Sequence, residues 1–261
     1  MSLKKWILAS VLAFGVTSAH AETKLRVGVT AGPDRQIWDF LETRAKDKGL
    51  NLEIVEFADY VTPNEALNAG DIDANAFQHL PYLEAQAKAR GYKLTSVAFT
   101  FTSPMGFFSK KYKNWSDLPK GAKIAVPNDP TNGGRALLVL AKHGDIKLKE
   151  GVGLVPNITD IVENPKNFDF IEVDAATTPR ALDDVDAAAV NNNYAIVNNL
   201  DLVNGTILRE DADSPYANII VVQEKNKDQP WVKQLIELYQ TPETAKFIKD
   251  TFKGASIPAW E

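Results

Sequence analysis

The stretch Ala125-Val-Pro-Asn-Asp-Pro-Thr-Asn-Gly-Gly-Arg135 constrains this chain most. Residues 123–126 are a short apolar run that reads as a strand, and Pro127 stops it. Asn128 and Asp129 predict a polar turn, and Pro130 suits the first turn of a helix. Thr131 to Arg135 then lead into Ala136-Leu-Leu-Val-Leu140, a strong helix former. Strand, polar turn and helix start together predict an anion site. The free backbone N–H groups of a helix start and the positive end of its dipole favour a negative charge. Arg135 adds a fork that can hold a carboxylate through two bonds. The bland alternative for Arg135 is a solvated helix residue. The glycine pair is no phosphate loop, because Arg135-Ala136 follows it where that motif needs Lys and then Ser or Thr.

The same punctuation occurs once before. Leu25, Val27 and Val29 alternate with Arg26 and Gly28 in a strand pattern that Ala31-Gly32-Pro33 breaks. Asp34 is placed to cap the next helix, with Ile37, Phe40, Leu41 and Ala45 on one face and Gly49 as its stop. Residues 52–57 predict the next strand, which completes a βαβ unit. A short helix over 63–69, a strand within 71–77 and a helix reaching Ala89 follow. Residues 94–108 are apolar and β-prone, interrupted at Ser103-Pro104. After the second unit begins, residues 158–164 read as a short helix and 168–173 as a strand. The spacing then predicts a helix over 178–183 and strands at 187–190, 207–208 and 218–222. Two more helices are expected over 231–239 and 242–252. The two units share an architecture and no clear sequence repeat. Ligands of open α/β sheets sit beyond the carboxyl ends of the strands, so two facing units predict a cleft with both loops on its rim.

Composition narrows the function classes. The chain has 261 residues, is 44% hydrophobic and contains no cysteine. That suits sizeable cores and excludes disulfides, thiol catalysis and cysteine-ligated metals within this sequence. Lys4 and Lys5, an apolar run over 6–16 and Ala19-His20-Ala21 read as a cleavable signal peptide, residues 1–21, too short to span a membrane comfortably. The net charge of −5 with scattered charges argues against a nucleic-acid partner or an anionic membrane surface. Of three histidines, His20 lies in the signal, leaving His79 and His143. No G-x-S-x-G, HExxH, Walker A, EF-hand or dinucleotide fingerprint is present. A binding protein without catalytic residues, metal or cofactor is the reading this leaves.

Candidate cleft residues fall at strand ends. Tyr60, Phe77, His79 and Tyr82 could wall a slim apolar side chain, and aromatic ring edges suit a thioether. Phe77 and Tyr82 read equally as ordinary core, and His79 as a half-buried polar residue. Asn191, Asn192, Asn193 and Asn218 form a polar set whose amides suit an amino-acid head group. The competing reading of Asn191–Asn193 is an Asn-rich turn.

These residues sit within runs that match something specific. They are Tyr60-Val-Thr-Pro-Asn-Glu-Ala-Leu67, Gly70-Asp-Ile-Asp-Ala-Asn-Ala-Phe-Gln-His79, Ala125-Val-Pro-Asn-Asp-Pro-Thr-Asn132 with Gly134-Arg135, Val162-Glu-Asn-Pro-Lys166, and Ser214-Pro-Tyr216 with Asn218. Through them, over nearly all of the chain after residue 21, the sequence resembles the NlpA/MetQ family, methionine-binding substrate-binding proteins of ABC importers. The resemblance implies an α/β, two-lobed periplasmic-binding-protein fold, type II-like, with the ligand cleft between lobes. Residues 22–108 plus 219–261 are the expected first lobe and 109–218 the second. The segments near 101–111 and 213–218 are expected to cross between them. The implied ligand is a free amino acid, usually L-methionine; D-methionine and methionine-containing dipeptides are taken by some relatives. Tyr60, Phe77, His79 and Tyr82 would surround its side chain. Arg135 would pair with its carboxylate, with Asn132 nearby, while Asn191 and Asn218 hold the head group.

The implied partner is an ABC permease of the inner membrane, served by a monomer. Two departures stand out. Many relatives carry a lipidated cysteine where this chain has none, so no lipid anchor and a free periplasmic location are expected. The run Asn191-Asn192-Asn193 stands where the family is expected to carry Asn followed by smaller hydroxyl residues. Rival readings are an enzyme using His79 as base and an exported surface or interaction protein.

Overall fold

A computed structural model describes residues 22–211 and 213–261. The signal-peptide expectation for residues 1–21 lies outside them. The chain builds two five-stranded sheets. In the first the order is Leu50–Phe57, Thr23–Thr30, Ala74–His79, Asn218–Gln223, Leu94–Phe99. Thr23–Thr30 pairs in parallel with Leu50–Phe57 along its whole length, from Thr23 opposite Leu50 to Thr30 opposite Phe57. It also pairs in parallel with Ala74–His79, while Asn218–Gln223 runs antiparallel to both of its neighbours. The second sheet repeats the plan with Asp169–Val173, Lys123–Pro127, Ala187–Val190, Gly106–Phe108 and Leu208–Arg209. Its first three strands are parallel, Gly106–Phe108 runs antiparallel to both of its neighbours, and Leu208–Arg209 therefore runs with the first three.

The chain crosses between sheets over residues 100–105 and again between Arg209 and Asn218. The short strand Ile257–Pro258 near the C-terminus pairs with Phe101–Thr102 inside the first crossing. The expected lobe boundaries therefore shift. Residues 106–108, assigned to the first lobe, pair with Ala188–Val190 in the second sheet. Asn218, assigned to the second, opposes His79 in the first.

Parallel strands covered on both faces carry continuous apolar runs. Ala187–Val190 is fully buried along its length and Val27 and Val29 have no exposure. Helix Pro33–Ala45 buries Ile37, Trp38 and Leu41 against the first sheet. Helices Pro230–Tyr239 and Pro242–Phe252 cover the same core, with the Trp38 and Tyr239 rings 5.4 Å apart. A second core under the other sheet gathers Phe107, Trp115, Ile124, Leu137 and Leu140. No helix among the described residues is long and apolar enough to cross a membrane.

Two local readings change. Asp34 does not cap its helix: Gly32, at φ 98°, is the N-cap and no side chain caps it. A Cβ at Gly32 would lie 3.2 Å from the Asn193 backbone, so only glycine lets the two loops meet there. The expected helix over 158–164 is a single 3-10 turn, Ile158–Asp160, closed by a capping box from Asn157. The β-branched pair Ile161-Val162 then enters the strand Ile161–Glu163. The glycine pair has a packing role. A Cβ on Gly133 would sit 2.5 Å from the Pro127 carbonyl oxygen, and one on Gly134 would sit 2.9 Å from Pro156.

Candidate functional site

The loops at the carboxyl ends of the parallel strands face one another, and a narrow cavity lies between the sheets. All eight residues singled out from the sequence line it: Tyr60, Phe77, His79 and Tyr82, then Asn132, Arg135, Asn191 and Asn218.

The first wall comes from the strand Ala74–His79, buried at every residue, and helix Leu80–Arg90, which begins where it ends. Ring centroids of Tyr60 and Phe77 are 5.9 Å apart, those of Tyr60 and Tyr82 6.0 Å and those of Phe77 and Tyr82 6.2 Å, all tilted or edge-on. The spacing is that of favourable aromatic pairs. Tyr82 donates its hydroxyl to the Tyr60 carbonyl at 2.9 Å, and Tyr60 donates to Asn193 Oδ1 across the cleft at 2.5 Å. Phe77 and Tyr82 thus belong to core and cleft wall at once, being 5% and 3% exposed. His79 is more buried than a half-buried polar residue, at 5%.

The protonation of His79 follows from its partners. Its Nδ1 accepts from the Tyr82 backbone N–H at 3.1 Å, so the ring proton sits on Nε2 and points at Asn132 Oδ1, 3.3 Å away. Burial first, and the Arg135 charge second, push its pKa down to about 3. The imidazole is neutral at physiological pH.

The second wall starts at Asp129. Its side chain accepts from the Asn132 backbone N–H at 2.9 Å and from Thr131 Oγ1 at 2.9 Å. It therefore fills the helix start of Pro130–His143 that the sequence had suggested for a ligand anion. Asp129 also accepts from Asn132 Nδ2 at 2.9 Å and 3.1 Å, which fixes that amide with Oδ1 outward. Asn132 Oδ1 then accepts from Asn191 Nδ2 at 2.8 Å. Asn191 Oδ1 is left buried with no partner among the described residues. Asn191 is the N-cap of helix Asn192–Val197, so the run is a helix start in place of the alternative Asn-rich turn, and the Asn191 side chain lines the cavity. Asn218 donates from Nδ2 to the Phe77 carbonyl at 3.3 Å, tying the two central strands at the cavity edge.

Arg135 is 3% exposed, so it is no solvated helix residue. Its Nε donates to Glu210 Oε1 and Oε2 at 3.1 Å and 3.0 Å, and Nη2 donates to the Ser103 carbonyl at 2.8 Å and to Glu210. The guanidinium lies 4.5 Å from the Tyr216 ring centre. Ser103 and Glu210 stand on the two crossing segments, so Arg135 ties both to the second wall. Nη1 makes no hydrogen bond among the described residues.

Several cavity residues were not singled out. Asp34 lines the cavity, and burial raises its carboxyl to about 8 although Thr30 Oγ1 donates to it at 3.2 Å. Its place after a strand–glycine–proline break looked like a cap, and nothing local reveals its burial. Ser103, Met105 and Tyr216 also line the cavity, as do Asn192 and Asn193 of the polar set read from the sequence. Ser214-Pro-Tyr216 was the one sequence signal for Tyr216, whose ring stands 5.0 Å from His79.

The sequence profile of the NlpA lipoprotein family matches residues 25–260. A D-methionine-binding lipoprotein MetQ of Escherichia coli O157:H7 is 49% identical over 239 residues, 90% of this chain and 88% of that one. A nutrient binding protein from Burkholderia cenocepacia, solved bound to methionine, is 52% identical with a TM-score of 0.88, covering 90% of this chain and 100% of that one. Immunogenic lipoprotein A from Vibrio vulnificus is 47% identical with a TM-score of 0.84, covering 87% and 100%. These lipoprotein names run against the expectation that the protein has no lipid anchor, and that expectation is withdrawn. Fold and sequence agree over the same span, and the chain belongs to the NlpA lipoprotein family.

Proposed function

We propose that the protein is the substrate-binding component of an ABC importer, that it closes on free methionine between its two sheets, and that it delivers the ligand from the periplasm to an inner-membrane permease. The observation that carries this reading is the chemical division of the cavity. Tyr60, Phe77 and Tyr82 offer ring faces and edges, and Asn132, Arg135 and Asn191 face them with polar groups. A thioether gains about 0.3–1.5 kcal/mol per ring contact beyond burial. Burial of the methionine side chain adds about 1.5–3 kcal/mol. Nη1 of Arg135 is the guanidinium nitrogen left to meet the carboxylate, with Asn132 beside it; Asn191 and Asn218 hold the rest of the head group. The crossing segments at 100–105 and between Arg209 and Asn218 are the hinge. The methionine-bound Burkholderia relative and the name of the Escherichia coli relative support the ligand class.

Binding rather than turnover is favoured by His79. With its pKa at about 3, the neutral ring is too weak a base to take up a proton near neutrality. Calorimetry on refolded, ligand-free protein with L-methionine, D-methionine, glycyl-methionine and other amino acids tests the reading. Saturable heat with a methionine compound and none with polar amino acids is expected. Silence with every methionine compound would remove the ligand assignment.

A further inference from the structure

Beside the aromatic wall lie three buried amide side chains. Asn64 stands on helix Thr62–Ala69, and Asn75 and Gln78 stand on strand Ala74–His79. Asn64 and Asn75 have no exposure, and Gln78 is buried with them. Their amides close a ring. Asn75 Nδ2 donates to the Pro63 carbonyl at 3.3 Å and to Asn64 Oδ1 at 2.9 Å. Gln78 Nε2 donates to Asn75 Oδ1 at 2.9 Å and to Asn64 Oδ1 at 2.6 Å, and Asn64 Nδ2 donates to Gln78 Oε1 at 2.8 Å. A backbone carbonyl can only accept, so Pro63 settles which end of Asn75 is the nitrogen. Asn75 Oδ1 is then left for Gln78 Nε2, and Gln78 Oε1 for Asn64 Nδ2. One carbonyl thus orients all three amides, and every amide nitrogen and oxygen of the three has a partner.

Leu67 on the same helix and Ile72 just before the strand are buried in an apolar cluster. Apolar side chains at the three positions would bury as well without the cost of desolvating an amide. Hydrophobic contact is non-directional, whereas a fully satisfied network of buried hydrogen bonds has one geometry and rigidifies what it joins. What it joins here is the helix start to the strand. Tyr60 precedes that helix through a turn in which the Val61 and Thr62 backbone N–H groups donate to Asp59 Oδ1 at 2.7 Å and 2.8 Å. Phe77 and His79 flank Gln78 in the strand.

We propose that Asn64, Asn75 and Gln78 are positioning residues for the aromatic wall: their amide ring sets Tyr60 against Phe77 and His79, and with that spacing the width of the space that admits the ligand's side chain. This rests on the methionine reading of the cavity and places side-chain selectivity in residues behind the rings. Asn64 and Asn75 are not among the residues lining the cavity, so a change at either reaches the ligand only through the rings. An unbranched thioether is slim, while leucine forks at Cγ and needs a wider space.

The test is calorimetry of refolded, ligand-free protein with methionine and with leucine, with thermal melts as the folding control. It compares wild type, Asn75→Leu, and a triple variant that combines Asn64→Leu, Asn75→Leu and Gln78→Met. Asn75→Leu strands amide groups of Asn64 and Gln78 and is expected to melt below wild type. The triple variant removes the whole ring and is expected to recover most of that loss. Wild type is expected to bind methionine roughly tenfold or more tighter than leucine, the scale on which an apolar pocket resolves one methylene. In both variants that ratio falls several-fold. A smaller folded fraction lowers both affinities alike and leaves their ratio where it was, so the ratio reads position and the melt reads stability. An unchanged ratio in Asn75→Leu overturns the inference and leaves the methionine reading standing. If Asn75→Leu does not fold, an unchanged ratio in the triple variant overturns it instead. A wild type that binds methionine and leucine alike overturns it too. A wild type that binds neither overturns the inference and the methionine reading together.

Discussion

The two walls of the cleft differ in how far they satisfy themselves. On the first, Tyr60, Tyr82 and His79 have partners for every ring nitrogen and hydroxyl that faces the cavity. On the second, Asn191 Oδ1, Asn192 Oδ1 and Arg135 Nη1 have none among the described residues. A wall whose polar groups are closed on themselves discriminates by shape and apolar area, which is a shallow selection of about 1–3 kcal/mol per methylene. A wall with open valences rejects any ligand that leaves them open, and that selection is steeper. On the proposed function, the side chain of the amino acid falls to the first wall and its head group mainly to the second, with Asn218 of the first sheet beside it.

Breaking the second wall gives the largest effect. Arg135→Ala strands Glu210 in the interior, where the pair is 4% and 10% exposed. A loss of about 3–5 kcal/mol is expected in urea unfolding, since removing one partner leaves a buried charge unpaired. Lost binding in this variant then reports structure as well as contact. A double variant, Arg135→Met with Glu210→Leu, is expected to recover most of the stability and none of the binding. Recovery of binding there would remove Arg135 from the head-group site.

Breaking the first wall acts on ligand choice. Phe77→Ala is expected to weaken methionine by about 1.5–3 kcal/mol, the burial value of such a side chain, in titrations against alanine as reference ligand. An equal loss for alanine would dissolve the division between walls.

A pH scan separates two buried titratable groups of the cleft, Asp34 and His79. Asp34 is held protonated by burial, with its pKa raised from 3.8 to about 8. The unfolded chain releases that proton above 3.8, so its contribution to stability is full below 3.8 and is lost as pH rises to about 8. His79 is held neutral, with its pKa lowered from 6.5 to about 3. Its contribution is full above 6.5 and is lost as pH falls toward 3. Between about pH 4 and 6.5 the two slopes oppose each other. Between 6.5 and 8 only Asp34 acts, and stability is expected to fall by about 2 kcal/mol, at 1.36 kcal/mol per pH unit. Chemical melts at pH 6.5 and 8 measure this fall, and Asp34→Asn abolishes it. An equal fall in Asp34→Asn would assign the slope to another group.

The smallest effect lies where the walls touch. Asn193→Thr shortens the group that receives the Tyr60 hydroxyl at 2.5 Å. A loss of about 0.5–1.5 kcal/mol, the net value of one hydrogen bond, is expected in stability. Unchanged stability would show that this cross-cleft bond adds nothing to closure.

What could be read from the sequence followed from local rules. The strand Ala187–Val190 and the helix Pro242–Phe252 end where the apolar run and the Pro and Gly punctuation end. The eight cleft residues came together because each stands at a strand end or on the first turns of the following helix, and strand ends of facing α/β units meet. What could not be read depended on distant partners. Glu210 is 75 residues from Arg135, and no periodicity joins them. Asp34 looked like a cap because sequence shows position relative to a helix and not depth beneath a surface. Asn192 belonged to an Asn run that fits a turn equally well. Its orphaned oxygen became visible only once Ser103, Ala255 and Ser256 had settled its nitrogen. Gly106–Phe108 was placed with the wrong lobe because the β-prone run over 94–108 continues through the crossing, and only strand pairing divides it.

A crystal structure of the protein bound to selenomethionine tests the division between walls most directly. The protein itself, made with ordinary methionine, contains only Met1 and Met105, so an anomalous selenium peak belongs to the ligand. The account predicts that peak within about 4–4.5 Å of the rings of Tyr60, Phe77 and Tyr82, with the head group against Arg135, Asn191 and Asn192. A selenium peak beside Arg135 and the asparagines, with the head group among the aromatic rings, would contradict it.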